Sequence, residues 1–381
     1  MKAGWETRTL GDTCEMYQPK TISGKEMVPD GAYTVFGANG IIGRYDQYNH
    51  EEPQLLITCR GATCGSVNIS EPFSWITGNA MVVRPKNAEI DMRFLEYLFR
   101  GGIDISKAIT GAAQPQITRT NLSPLQISYP TSPAEQQRIV AILDEAFAGI
   151  ATARAAAEQN RQNARALFES YLQSVFSQRG EGWVETTIAD ATGGVFTGPF
   201  GTLLHKSDYI ENGIPLVNPA HITNVGIAPD LRKTVSAETA QRLSSYIMRT
   251  GDIVIGRRGE MGRCATVTDA EDGWLCGTGS FVIKPSNRCD TSYLVRLLRS
   301  ESCKSRLEEI AGGAVMPNLS NTALGNFPIL LPPIDMQKAV LKEIDALHEE
   351  TQRLEALYQR KLEALDELKQ SLLHQAFCGN L

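Results

Sequence analysis

The second half of this chain restates the first, and that constrains its architecture more than any single motif. "PQLLITCRGATCG" (Pro53–Gly65) returns as "GDIVIGRRGEMG" (Gly251–Gly262): an apolar run, then arginine and glycine, then a loop closed by glycine. "NAMVVRP" (Asn79–Pro85) returns as "GSFVIKP" (Gly279–Pro285), and "FLEYLFR" (Phe94–Arg100) as "YLVRLLR" (Tyr293–Arg299). "GAAQPQIT" (Gly111–Thr118) matches "GAVMPNLS" (Gly313–Ser320), and "ISYPTSPAEQQRIV" (Ile127–Val140) matches "ILLPPIDMQKAV" (Ile329–Val340). The offset stays between about 198 and 202 residues through all five pairs. Collinear matches of this kind mark a duplicated structural unit. Even the start recurs, "GWETRTLGD" at Gly4–Asp12 and "GWVETTIAD" at Gly182–Asp190.

Each copy runs through short β-branched strands and turns to a proline-marked boundary, then into a long helical pattern. In the second copy Val340, Ile344, Leu347, Thr351, Leu354, Tyr358, Lys361, Leu365, Leu368 and Leu372 step by alternating fours and threes, a heptad seam. The same stepping in the first gives Ile139, Leu143, Ala146, Ile150, Ala153, Ala157, Asn160, Ala164, Leu167 and Tyr171. One seam is alanine-rich and the other leucine-rich, which suits close packing of the two helices on each other. Asn160 would fix their register. Each helix extends about 60 Å at 1.5 Å per residue. The competing reading, two unrelated surface helices each packed on its own domain, is disfavoured because a long amphipathic helix without a partner is marginal. The expected fold is α+β: a first domain over 1–130, a spacer helix over 131–178, a second domain over 179–333 and a C-terminal helix over 334–381. Antiparallel pairing would make this a dumbbell with approximate two-fold symmetry.

Charge narrows the function. The net charge of −6 argues against a protein that coats nucleic acid nonspecifically. Half of the deficit lies in residues 334–381, so the two large segments are nearly neutral and a basic face on either needs its acids placed elsewhere. The N-terminus has no apolar core of a signal peptide, and runs such as "FPILLPPI" (Phe327–Ile334) are too short and proline-broken to span a membrane. The eight cysteines form no CxxC pair and read as reduced thiols of a cytoplasmic protein. No phosphate loop, no glycine-rich cofactor loop, no methyltransferase Asn/Asp-Pro-Pro-aromatic signature and no Ser/His/Asp set is legible, so no catalytic residue and no metal site is assigned.

The proline-led helix start "PAEQQRIV" (Pro133–Val140) and the C-terminal "LDELKQSLLHQAFCGNL" (Leu365–Leu381), together with the repeat and its two long helices, resemble the specificity subunit of type I restriction-modification systems. The resemblance covers nearly the whole chain. The second copy departs from it at "PIDMQKAV" (Pro333–Val340), which keeps Gln337 but lacks the glutamate. The resemblance implies tandem target recognition domains, each reading one half of a bipartite target on double-stranded DNA, and a role without chemistry of its own. It implies as partners two methyltransferase subunits, modifying adenine N6, and restriction subunits that translocate and cut. It places S-adenosylmethionine, ATP and Mg in those partners, with no cofactor in this chain. Because "YTVFGANGIIGRYDQY" (Tyr33–Tyr48) and "FTGPFGTLLHKSDYIENGIPLVNPAHI" (Phe196–Ile222) differ so strongly, the two half-sites should be unlike. The rival readings are a coiled-coil scaffold with protein-binding ends and a degenerate DNA methyltransferase.

Base readout needs paired donors or acceptors, with phosphate contacts fixing register. Arg60 beside Gly61, and Arg257 and Arg258 beside Gly259, are the first candidates, extended by Arg263; the glycine allows close backbone approach and the arginine supplies a fork. The alternative is that these arginines pair with local carboxylates such as Glu260. Asn39, Arg44 and Lys206 are further candidates in turn-rich segments. Gln114 and Gln116 can pair with adenine, but scaffold duty at the domain–helix junction is the better reading for them.

Overall fold

A computed structural model describes residues 4–37, 39–312, 318–378 and 380–381. The chain forms two compact units, one of residues 1–159 with 358–381 and one of residues 160–357. The echo between the two starts has a local cause in each unit.

In the first unit, strand Trp5–Thr9 pairs antiparallel with Gln126–Pro130. Thr9 ends the strand and caps the short helix Leu10–Thr13: the Asp12 N–H donates to its Oγ1 at 3.2 Å, and its hydroxyl donates to Asp12 Oδ2 at 2.6 Å. That hydrogen bond holds the Asp12 carboxyl below its ordinary range. The main sheet follows in the order Cys14–Tyr17, Ala80–Pro85, Leu55–Thr58, Val67–Ile69, all antiparallel. The central strand Leu55–Thr58 is buried along its length, which matches its unbroken apolar run. A smaller sheet pairs Tyr33–Gly37 antiparallel with Gly40–Tyr45 and parallel with Trp75–Ile76. Asp91 caps helix Met92–Tyr97, accepting from the N–H groups of Arg93 and Phe94.

The second unit repeats this order. Val184–Thr187 pairs with Pro328–Leu331, and Thr187 caps Ile188–Ala191 through Asp190 with the same pair of hydrogen bonds. Its main sheet runs Val195–Thr197, Ser280–Ile283, Ile253–Gly256, Cys264–Thr266. Asp290 caps helix Thr291–Arg299. The segments that look unrelated in sequence share one device: Ile214–Val217 lies parallel to Leu275–Cys276, as Tyr33–Gly37 does to Trp75–Ile76.

One buried glutamine in each unit ties the long helix to its domain. Gln136 is fully buried; its Nε2 donates to the carbonyls of Glu89 and Pro130, both at 2.8 Å, and its Oε1 accepts from Asp91 N at 2.8 Å. Gln337, equally buried, does the same with Arg288 O (2.9 Å), Pro332 O (2.8 Å) and Asp290 N (2.7 Å). Glu135, by contrast, is only half-buried and pairs with Arg138. The three hydrogen bonds of this junction therefore do not depend on the glutamate that the second copy lacks.

The long helices are Pro133–Ser177 and Ile334–Cys378. Within the first unit, Leu143, Leu373 and Ala376 are buried in one core, Lys369 Nζ lies 5.2 Å from the Phe147 ring, and Arg154 pairs with Asp366. Within the second, Phe168, Val175 and Ile344 form a buried cluster, the Phe168 and His348 rings are 5.1 Å apart, and Tyr171 Oη donates to Glu343 Oε2 at 2.7 Å. In both units rising numbers on one helix meet falling numbers on the other, so the pairing is antiparallel.

The strict heptad needs correction. Leu143, Ile150 and Ile344 are buried, and Leu347, Leu354 and Leu365 are half-buried. Leu167 is 64% exposed, Leu368 46% exposed, and Asn160 faces solvent. A straight α-helix drifts about 20° per heptad from a 3.5-residue repeat. The buried stripe therefore passes from Ala157 and Ala164 to Phe168 and Val175, one residue beyond the predicted step. Asn160 fixes no register by burial. No helix among the described residues is long and apolar enough to cross a membrane.

Candidate nucleic-acid interface

The site grows from the end of the central strand in each unit. After Leu55–Thr58 the chain passes through Cys59 and Arg60 to Gly61, and after Ile253–Gly256 through Arg257 and Arg258 to Gly259. A returning segment locks both edges. Ile117 N donates to Cys59 O, and Leu319 N to Arg257 O, each at 2.9 Å. Gln116 bridges to Arg60 and Thr110; Asn318 bridges to Arg258 and Gly312. The equivalences are thus Cys59 with Arg257, Arg60 with Arg258, and Gln116 with Asn318.

Gly61 and Gly259 have φ of +88° and +81°, and nothing lies within 4 Å of the place a Cβ would occupy. Their glycine is required by the left-handed backbone, and no other part of the chain crowds the place of a side chain. Gly259→Ala should cost about 1–2 kcal/mol, read as a lower denaturation midpoint for the second unit; an unchanged midpoint would mean the turn relaxes to another conformation.

Partners separate the arginines of each domain. In residues 1–130, Arg8 pairs with Glu6, Arg84 with Glu15, and Arg93 and Arg100 with Glu96. Arg44 donates through Nε to Gly31 O at 2.6 Å and through Nη2 to Ala32 O at 3.0 Å, so it pins a turn and its fork is occupied. Arg60 and Arg119 alone have no side-chain partner among the described residues, and Arg119 opens the short helix Arg119–Leu122 just beyond Gln116. Both are exposed.

In residues 179–333, nine arginines meet a carboxylate or a main-chain carbonyl. They are Arg179, Arg232, Arg242, Arg249, Arg263 and Arg296, with Arg288, Arg299 and Arg306. Arg263 is held by Glu260, whose carboxyl it draws below the ordinary range. The local ion pair expected as the alternative for this cluster is thus realised at Arg263. Arg257 and Arg258 meet only a neutral amide: both donate through Nε to Asn318 Oδ1, at 3.2 and 3.4 Å. Their Nη groups have no acceptor among the described residues. Arg257 also stacks over the Phe281 ring at 5.3 Å, and burial, then the adjacent Arg258 charge, lower its pKa.

The other candidates divide. Asn39 is exposed and accepts from Asn68 Nδ2 at 3.4 Å. Lys206, in the turn Lys206–Asp208, is exposed with no partner for its ammonium among the described residues. Arg119 and Asn318 do not stand out in the sequence; the polar residue kept at 116 and 318 in both copies is the available signal. The matched Met316 lies outside the described residues. No group of three or more His, Cys, Asp or Glu among the described residues can hold a metal ion. The cysteines are free, and burial pushes Cys264, Cys276, Cys289 and Cys303 up to about 12, so these remain protonated packing groups.

The profile of the type I restriction modification DNA specificity domain matches this sequence over residues 2–159 and again over 191–364. The chain belongs to that family. The specificity domain therefore occurs twice here, and each occurrence carries one of the two arginine edges. Among curated relatives, the type I restriction enzyme MjaVIII specificity subunit of Methanocaldococcus jannaschii is 23% identical, with 99% of this chain and 93% of that protein aligned. The EcoDI specificity subunit of Escherichia coli is 21% identical over 99% and 88%. A chain from a structure of type I R-M complex assembly and conformational transition superposes with a TM-score of 0.75 at 17% identity, covering all of this chain and 99% of that one. The HsdS subunit from Thermoanaerobacter tengcongensis gives 0.64 at 17% identity, over 100% and 98%. The chain is thus a type I specificity subunit with a DNA target recognition role.

Proposed function

We propose that this specificity subunit reads a bipartite, asymmetric DNA target, one half with each domain. The observation that carries this reading is the repeated strand-end edge. It holds Arg60 and Arg258 at equivalent positions, with Arg257 beside the second and Arg119 just beyond the bridge of the first, and none of the four meets a carboxylate or a main-chain acceptor through its side chain among the described residues. Such forks suit guanine edges and phosphates. Arg60 and Arg119 with Gln116 on one side, and Arg257 and Arg258 with Asn318 on the other, present different donors, so the half-sites differ. The subunit holds two methyltransferase subunits and the restriction subunits on that target. Methyl transfer to adenine N6 from S-adenosylmethionine, and ATP- and Mg-dependent translocation and cleavage, belong to those partners. Adenine must leave the stack to be methylated; this chain positions that event in the cytoplasm without catalysing it.

Single-molecule sequencing of DNA from cells carrying this chain with its methyltransferase should show N6-methyladenine in a gapped motif with two unlike halves. A contiguous or palindromic motif, or methylation by the chain alone, would overturn the reading.

A further inference from the structure

We propose that the residue bridged to the strand-end arginine decides how each domain reads its half-site: Gln116 contacts a base directly, and Asn318 is a positioning residue for two arginines. This rests on DNA being read by these two edges, as proposed above. Both residues hold the same backbone place, bridged to Arg60 or to Arg258. Their main chains secure the fold, since Gln116 N and O bond Thr110 and Asn318 N bonds Gly312 O. The side chains part company. Gln116 is exposed, and its carboxamide has no partner among the described residues. It lies between Arg60, across the bridge, and Arg119, three residues on. A free carboxamide offers a donor and an acceptor, the complement of adenine N7 and N6.

Asn318 is shorter and half-buried, and its Oδ1 is already shared by Arg257 Nε and Arg258 Nε. An acceptor on both Nε atoms leaves the Nη pairs of both guanidinium groups available end-on to guanine O6 and N7 or to phosphate. The same position thus supplies an adenine reader in one domain and an arginine bracket in the other. The first half-site should contain an adenine contacted beside an arginine-read base, and the second should depend on two arginines.

The test uses the full chain assembled with its methyltransferase subunit, retained on DNA libraries randomised at each target position. Gln116→Ala should reduce discrimination roughly ten- to hundred-fold at one position of one half-site, with the other half-site unchanged. Asn318→Ala should lower selectivity across the second half-site, and Asn318→Gln, which keeps a neutral carboxamide acceptor, should retain more of it. Arg60→Ala and the Arg257→Ala/Arg258→Ala pair run beside them. If those arginine variants leave selectivity intact, the DNA-reading role of the edges itself fails. If they lose selectivity while Gln116→Ala changes no position, or if Asn318→Gln behaves like Asn318→Ala, the division of roles between Gln116 and Asn318 is wrong. Equal loss at both half-sites in any single variant also overturns it.

Discussion

Replacing Gln337 with leucine should destabilise the second unit by roughly 1–3 kcal/mol, and Gln136→Leu should do the same to the first. Each glutamine is fully buried and makes three hydrogen bonds, to two main-chain carbonyls and one main-chain N–H. Leucine fills a similar volume but leaves the buried carbonyl of Pro130 or Pro332 and two part-buried main-chain groups without their partner, and a buried orphan costs about 1–3 kcal/mol. The N–H groups involved belong to Asp91 and Asp290, the caps of the helices that follow, so the penalty spreads to two elements at once. A chain of two units need not unfold in one step. Hydrogen exchange at the Asp91 and Asp290 amides is therefore the sharper measurement. Protection should fall sharply in the mutated unit and stay unchanged in its counterpart. A destabilisation below about 0.5 kcal/mol, the range of neutral surface changes, would show that water replaces the amide there.

The second large effect is on DNA. Changing Arg257 and Arg258 together to alanine should relax readout of one half-site by about 1–3 kcal/mol for each bidentate arginine–base pair removed. Where either guanidinium instead meets a phosphate, the slope of log affinity against log salt should become shallower by about 0.9 per phosphate. Titrations at several salt concentrations, with the two half-sites mutated separately, distinguish these cases. The other half-site should keep its full selectivity, because its arginines sit in a different unit. Arg44→Ala is the contrasting control: its guanidinium already donates to two carbonyls, so its removal should loosen the Gly31–Ala32 turn and leave base preference unchanged. Equal loss at both half-sites after the Arg257/Arg258 change would refute modular reading.

Features that rest on neighbours in the chain are legible in the sequence. The repeat can be followed because each copy carries the same local instructions: a threonine three residues before an aspartate to start a helix, an apolar run before arginine and glycine, a proline before the long helix. That the two helices pair is expected from complementary alanine and leucine stripes, whereas their antiparallel direction is not set by the stripes. The heptad, though, overshoots. Its register drifts by a fraction of a residue per turn, and only the packed partner decides when Leu167 yields to Phe168.

The candidate site is legible by residue type and illegible by availability. Arg60, Arg257 and Arg258 stand out because a glycine turn follows a buried strand. Arg44 has equal promise by type, and nothing adjacent in sequence announces that Gly31 and Ala32 will occupy it. Gln116 reads as scaffold, and its backbone is; that its carboxamide is left over emerges only when its segment returns from more than fifty residues away to pair with Arg60.

By itself, then, the order of residues determined the duplication, the element types and the kind of side chain at each strand end, since all of these follow from short-range spacing and periodicity. The tertiary structure alone decided which arginines keep their donors free. A guanidinium is neutralised by whatever acceptor folding brings within about 3 Å of it, and that acceptor is as often a distant carbonyl as a neighbouring acid.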